Sequence, residues 1–209
     1  MRAVRCGTEA SDDVARTQII DRSGARGRRG APRRLLAVVT TPLLILAAAG
    51  CGEPAEKKSF QVPTNLCGMS IESSVLEPVL PGSGSSLDMT SKSKAVGSTN
   101  CTISVDKHAV LGAISEWQWD ASVREVAGSN PYLSLGKHVS EDGTYAYSEQ
   151  GGAHLVSCPV AAKKHPGAQL YVRILIYEGG TRDEGAAKRL LQAYAGSVAA
   201  SAECVGSAR

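Results

Sequence analysis

Ala48-Ala49-Gly50-Cys51 closes a basic and then apolar N-terminus, and it decides which part of this 209-residue chain folds and in what chemical surroundings. Arg22, Arg26, Arg28, Arg29, Arg33 and Arg34 supply a cationic stretch, and Leu35 to Ala49 follows without a charge. That run has the length of a signal-peptide apolar region and falls short of the ~20 residues a spanning helix needs. Pro42 also interrupts it. Small residues then lead to a cysteine, the pattern of a bacterial lipobox, in which the thiol takes diacylglycerol and the chain is cut just before it. The motif departs from its usual form only at Ala48, where leucine is commonest. Three segments are expected: a lipoprotein signal peptide over 1–50 that is removed, a flexible tether over 51–66, and a single folded domain over 67–209. Cys51 is the expected lipidation site, holding the domain on the extracytoplasmic face of the cell membrane. Arg33-Arg34 leaves the general secretory and twin-arginine routes both open.

Removing the leader reverses the charge. Residues 1–50 hold nine Lys+Arg against four Asp+Glu, so 51–209 holds 14 against 16 and is mildly acidic. A nucleic-acid partner needs a concentrated cationic face, and no basic run longer than Lys57-Lys58 or Lys163-Lys164 remains. Four cysteines stay beyond the anchor: Cys67, Cys101, Cys158 and Cys204. An even number in an exported chain reads as disulfides. Three connectivities fit, and Cys67–Cys101 with Cys158–Cys204 is favoured because each pair would tie a helix end to a strand. No CxxC or CxxH spacing suggests zinc.

The periodicities give an α+β domain: a mainly antiparallel sheet of about five to six strands, helices packed on one face, and a long C-terminal helix. Ile71, Val75, Val79 and Leu80 repeat at helical spacing, with Ser70 as a candidate cap and Pro81 as a stop. A short strand over Leu87–Thr90 is expected inside the Ser-rich 83–98 stretch. Cys101, Ile103 and Val105 share one face of a strand, and Asp106-Lys107 reads as the turn into a second strand over Ala109–Trp119. Ser122 and Glu125 have capping-box spacing. Thr144–Glu149 and Ala153–Pro159 read as a hairpin closed around Gly151-Gly152. Leu170, Val172, Ile174 and Ile176 alternate with a second, also rather apolar, face, which suggests a central strand covered on both sides. Thr181 and Glu184 have capping-box spacing before the stripe Ala187, Leu190, Leu191, Tyr194 and Val198. The order hints at a duplicated helix-plus-three-strand unit, without sequence identity between the halves.

Candidate site residues are few. Trp117 and Trp119, spaced by two on one strand, project side by side and would suit a carbohydrate or lipid platform; core packing is the other reading. Tyr145 and Tyr147 have the same geometry. His108, His138, His154 and His165 are scattered, with no pair at the spacing of a zinc helix. No Gly-x-Ser-x-Gly elbow occurs, and Pro81 to Ser86 lacks the lysine of a phosphate loop. An acid or base would have to come from distant residues such as Asp142, Glu149 or His154. No catalytic residue, metal or cofactor is assigned.

The pattern resembles a class of actinobacterial cell-envelope lipoproteins carrying a small disulfide-paired domain of unknown function. The resemblance rests on Leu46 to Cys51, on Asn65-Leu66-Cys67-Gly68 before a short helix, on Asn100 to Val105 on a strand, and on the Leu190 to Tyr194 helix ending near Cys204. It covers most of residues 46–204 with short motifs, and it implies an exported, lipid-anchored domain without supplying catalytic residues. The expected role is a non-catalytic binding or interaction module of the envelope. Its partner would be an envelope lipid, a glycan or a membrane protein. A hydrolase-like envelope-modifying enzyme is the alternative.

Overall fold

A computed structural model describes residues 57–95 and 97–205. Cys51 and the whole expected signal peptide lie outside them. Seven strands form one antiparallel sheet: β3 (Leu87–Ala95), β4 (Ser98–Val105), β5 (His108–Trp119), β9 (Ala168–Ile176), β8 (Gly151–Val156), β7 (Tyr145–Ser148) and β6 (His138–Val139), in that spatial order. A separate two-stranded ribbon pairs β1 (Asn65–Leu66) with β2 (Met69–Ser70). The sheet is larger than the five to six strands expected. The seventh, β6, is only two residues long and carries no readable alternation.

The two meanders, β3-β4-β5 and β7-β8-β9, meet where β5 pairs with β9 along nine residues, from Leu111↔Ile176 to Trp119↔Ala168. Period-two alternation on β9 divides the core. Leu170, Val172, Ile174 and Ile176 face one side, and Tyr171 and Leu175 face the other. The first side is covered by α3 (Glu184–Ala199) through Leu190, Leu191, Tyr194 and Val198, and by α1 (Ser73–Leu76) with the 3₁₀ turn Glu77–Val79. The second is covered by α2 (Val123–Gly128) through Val123, Val126 and Ala127. Helices therefore pack on both faces, not on one. The apolar second face of β9 carries the reason, because Tyr171 and Leu175 need cover as much as their neighbours do. A two-fold relating antiparallel β5 to β9 would run normal to the sheet and keep the leading helices on one face. The opposite placement of α1 and α2 limits the repeat to strand order.

Turn chemistry explains most of the connections. Asp106 and Lys107 both take left-handed backbone (φ 49° and 70°), the pairing that matches strand twist in a two-residue hairpin. The Asp106 carboxylate accepts from the Ser85 and Ser86 amides at 2.9–3.1 Å and from both hydroxyls, fixing the approach to β3. Its carboxyl is held down at about 2 by those bonds, the Ser85 hydroxyl first. Ser122 and Glu125 do form a capping box. The expected helix over 71–80 is split, because Pro78 has no N–H to continue α1. The expected Thr181 cap is replaced by Asp183, which accepts from the Ala186 amide at 2.6 Å. Thr181 instead donates to the Leu80 carbonyl at 2.8 Å, sewing the start of α3 to the first helix.

The glycine pair closes no turn. The β7–β8 turn falls at Glu149-Gln150, and Gly151 and Gly152 lie inside β8. A Cβ on Gly152 would stand 2.7 Å from Leu191 Cδ2, so α3 seats directly on the strand there. Both disulfides join the pairs expected: Cys67–Cys101 ties the β1–β2 ribbon to β4, and Cys158–Cys204 ties the end of β8 to α4 (Ala202–Val205).

The chain is held from Lys58 onward. Lys58 bridges to Gly84, Lys58 Nζ meets Glu77 at 2.8 Å, and Phe60 is buried. This entry point lies beside Gly84 and Asp106, at the hairpin end of β5. Among the described residues no helix is long and apolar enough to cross a membrane.

Candidate functional site

The opposite end of β5 is built differently. There the first face of the sheet, the C-terminal half of α3 and α4 enclose a cavity of about 260 Å³. Its lining is rich in hydroxyls (Ser93, Thr99, Ser115, Ser201) and includes the Glu203 carboxylate, with Trp117 and Leu170 as its apolar wall. Cys67 and Cys204, one from each disulfide, stand in its wall. Tyr194 also lines it; burial pushes the phenol up to about 12, so it is a neutral donor across the physiological range.

A second cavity of about 430 Å³ lies against the same Trp117 and Leu170. Its walls are largely carbon: Leu155, Val156, Pro159, Ala162 and Ala168. It sits beneath the connection from β8 to β9, where the 3₁₀ turn Ala161–Lys164 is held to the body by the Cys158–Cys204 bridge and by the bond from the Val160 amide to the Cys204 carbonyl. A polar and an apolar cavity thus share one indole.

Trp117 and Trp119 point to the same face, yet their surroundings differ. Trp117 is 9% exposed and stacks on the His165 imidazole, with centroids 4.5 Å apart and planes 15° from parallel. Gly97 allows this close approach, since a Cβ there would fall 2.7 Å from the indole. Trp119 is 58% exposed and donates from Nε1 to the Pro166 carbonyl at 3.2 Å. Trp117 lines both cavities and Trp119 lines neither, so the pair forms no flat platform.

Tyr145 and Tyr147 form a separate cluster. They face α3, half-buried, while Ala146 and Ser148 on the other face of β7 are the fully buried ones. Tyr145 stacks on His154, Tyr147 lies near His138, and the Lys188 ammonium from α3 sits 5.4 and 5.1 Å from the two tyrosine centroids. The aromatic concavity is filled by the chain's own cation. Beside it Glu184 accepts from Lys137 at 3.1 Å and lies 3.0 Å from His138 Nε2, and the Lys137 bond holds its carboxyl below the usual range.

The acid–base candidates do not converge. Asp142 is turned into its own loop, accepting from Ser140 and Thr144, and Glu149 stands at the opposite end of β7 beside Lys137. His154 Nδ1 is 2.6 Å from the Leu155 carbonyl. Among the described residues no three His, Cys, Asp or Glu side chains gather as a metal would require. One ion pair is half-hidden in the second face: Arg173 Nη2 meets Glu116 at 2.7 Å, and Arg173 Nη1 donates to Ser129 at 2.8 Å, which anchors the end of α2 to the sheet.

Sequence reasoning found Trp117 and missed Ser93, Thr99, Ser115 and Glu203. They come from four separate elements or connections and share no motif. No family model, characterised protein or solved structure matches this chain. The fold and cavities define a seven-stranded antiparallel α+β domain with a two-chambered end.

Proposed function

We propose that this chain is an exported, lipid-anchored binding module of a bacterial cell envelope, non-catalytic, with its ligand site in the paired cavities around Trp117. The observation that carries the reading is the meeting of a hydroxyl-lined and a carbon-lined cavity at one buried indole. Concave, mostly preformed chambers with a few polar groups are the usual form of a ligand site. Placement supports it. The chain enters at the hairpin end of β5, and the cavities lie toward the other end, with Trp117 nine residues or roughly 30 Å along the strand from His108. From Cys51 to Lys58 only seven steps are available, a reach of about 25 Å at most. An anchor at Cys51 would hold the hairpin end near the bilayer and present the cavities to the envelope. The lipobox and the resemblance to envelope lipoproteins point the same way.

Native mass spectrometry of the gently purified chain tests this reading. A copurifying mass that disappears on denaturation is expected. A bare chain with no adduct from any envelope fraction contradicts it. Cys51→Ser should move the protein out of the membrane fraction, since stable anchoring rests on more than one acyl chain.

A further inference from the structure

We infer that the ligand is a monomeric amphiphile with an anionic headgroup: its hydrocarbon enters the carbon-lined cavity and its headgroup meets Lys163 and Lys164. This rests on the binding-module reading above. The larger cavity is walled mainly by carbon, from Leu155, Val156, Pro159, Ala162, Leu170 and Trp117, with Thr144, Ser157 and Gln169 as its polar side chains. A sugar or a peptide backbone against the carbon walls would find only those three side chains to replace the water it loses. Hydrocarbon loses nothing.

The 3₁₀ turn that supplies Ala162 has the opposite character. Ala162 lines the cavity, and the next two residues on the same 3₁₀ turn are Lys163 and Lys164, both exposed. Neither enters an ion pair among the described residues. Two exposed lysines on the turn that supplies a lining residue would match one negative charge on one tail. Trp119 and Val160, both exposed, flank the same connection, Trp119 through its bond to Pro166 and Val160 at the start of the turn. Indole and aliphatic groups beside lysines suit the boundary between a headgroup and its chain. The adjoining chamber, with Thr99, Ser115 and Glu203, has room for hydroxyls carried on the same molecule.

Trp117, one of the chain's two tryptophans, lines both cavities, so intrinsic fluorescence reads the site. The purified full chain would be titrated with octyl, decyl and dodecyl phosphate below their aggregation limits, with decanol as the uncharged tail and inorganic phosphate as the bare head. Each added pair of methylenes should tighten binding roughly tenfold. Lys163→Ala with Lys164→Ala should weaken decyl phosphate at least fivefold and leave decanol unchanged. Ala162→Phe should abolish the chain-length dependence; should that variant fail to fold, the exposed lysine pair and the tail series still decide. Equal affinity across the series, inorganic phosphate binding as well as decyl phosphate, or indifference to the lysine pair would each overturn the assignment. If a copurifying non-lipid mass shields Trp117 while alkyl phosphates do nothing, the binding module stands and the amphiphile falls. If neither a copurifying mass nor any alkyl phosphate perturbs the tryptophans, both fall.

Discussion

The Trp117 indole lies nearly parallel to the His165 imidazole at a centroid distance of 4.5 Å, and this stack stands beside both cavities. His165 ends the 3₁₀ turn that roofs the larger chamber, so the stack ties that roof to the sheet. His165→Ala should cost about 1 kcal/mol, the range of an aromatic pair, and lower the melting temperature by roughly 2–4 °C. Trp117 emission should shift to the red as water reaches the ring. An unchanged spectrum would mean that the stack does not shield the indole.

Gly152 and Gly196 make opposite predictions from one comparison. Alanine at 152 would thrust a Cβ to 2.7 Å from Leu191 Cδ2 and 3.1 Å from the Tyr147 Cα, between α3 and the backbone of β7. Overpacking against backbone should destabilise by about 3 kcal/mol. Alanine at 196, inside α3 with nothing within 4 Å of the new Cβ, should stabilise by roughly 0.5–1 kcal/mol through helix propensity. Urea denaturation of the two variants checks both signs.

Acid should unfold this domain in a particular window. Asp106 is held down at about 2 from its ordinary 3.8 by the Ser85 and Ser86 bonds. Glu125, Asp142 and Glu184 are also lowered, chiefly by hydrogen bonds from Ser122, Ser140 and Lys137. A carboxyl with a depressed folded value contributes stability that is complete above its unfolded value and lost as pH falls through the folded one. The melting temperature should therefore be flat above about pH 5 and fall between pH 4 and pH 2. Asp106→Asn should reduce that slope and loosen the 84–86 segment. Stability that rose on acidification would contradict the hydrogen-bond assignment.

The disulfides close spans of 34 and 46 residues. Under the chain-entropy model each is worth roughly 3–4 kcal/mol. Replacing Cys158 and Cys204 together by alanine should cost that much and free α4 from the roof of the larger cavity. Chemical denaturation measures the first effect. Hydrogen exchange at Val160, whose amide bonds the Cys204 carbonyl at 3.1 Å, reports the second.

What was legible in the sequence was local. The alternation on β9, the Asp106-Lys107 turn and the Ser122–Glu125 box each depend on neighbours in the chain, and each formed where expected. The cysteine pairing was expected on the ground that each bridge would tie a helix end to a strand; Cys158–Cys204 does so, whereas Cys67 sits in the β1–β2 ribbon. The failures are tertiary. Thr181 gave up its cap to bond Leu80, 101 residues earlier, and Gly151-Gly152 answer to α3 and β9 rather than to a turn. β3 runs nine residues through a Ser-rich stretch because β4 pairs along its length, and an exposed edge strand needs no apolar period. The site shows the same division. Trp117 stood out by its spacing, but the hydroxyls around it assemble only when β3, β4, β5 and α4 meet.

The ligand site is tested most directly by following the Trp117 indole N–H in a two-dimensional proton–nitrogen spectrum while an extract of the organism's own envelope is added. Only two indole signals exist, from Trp117 and Trp119, and the Trp117→Phe variant assigns them. The Trp117 signal should shift or broaden in a saturable way, together with the amides of Ala162 and Leu170 that share its cavity. A Trp117 signal that stays fixed while resonances at the 106–107 hairpin or around Tyr145 respond would place the ligand elsewhere and contradict a site at the paired cavities.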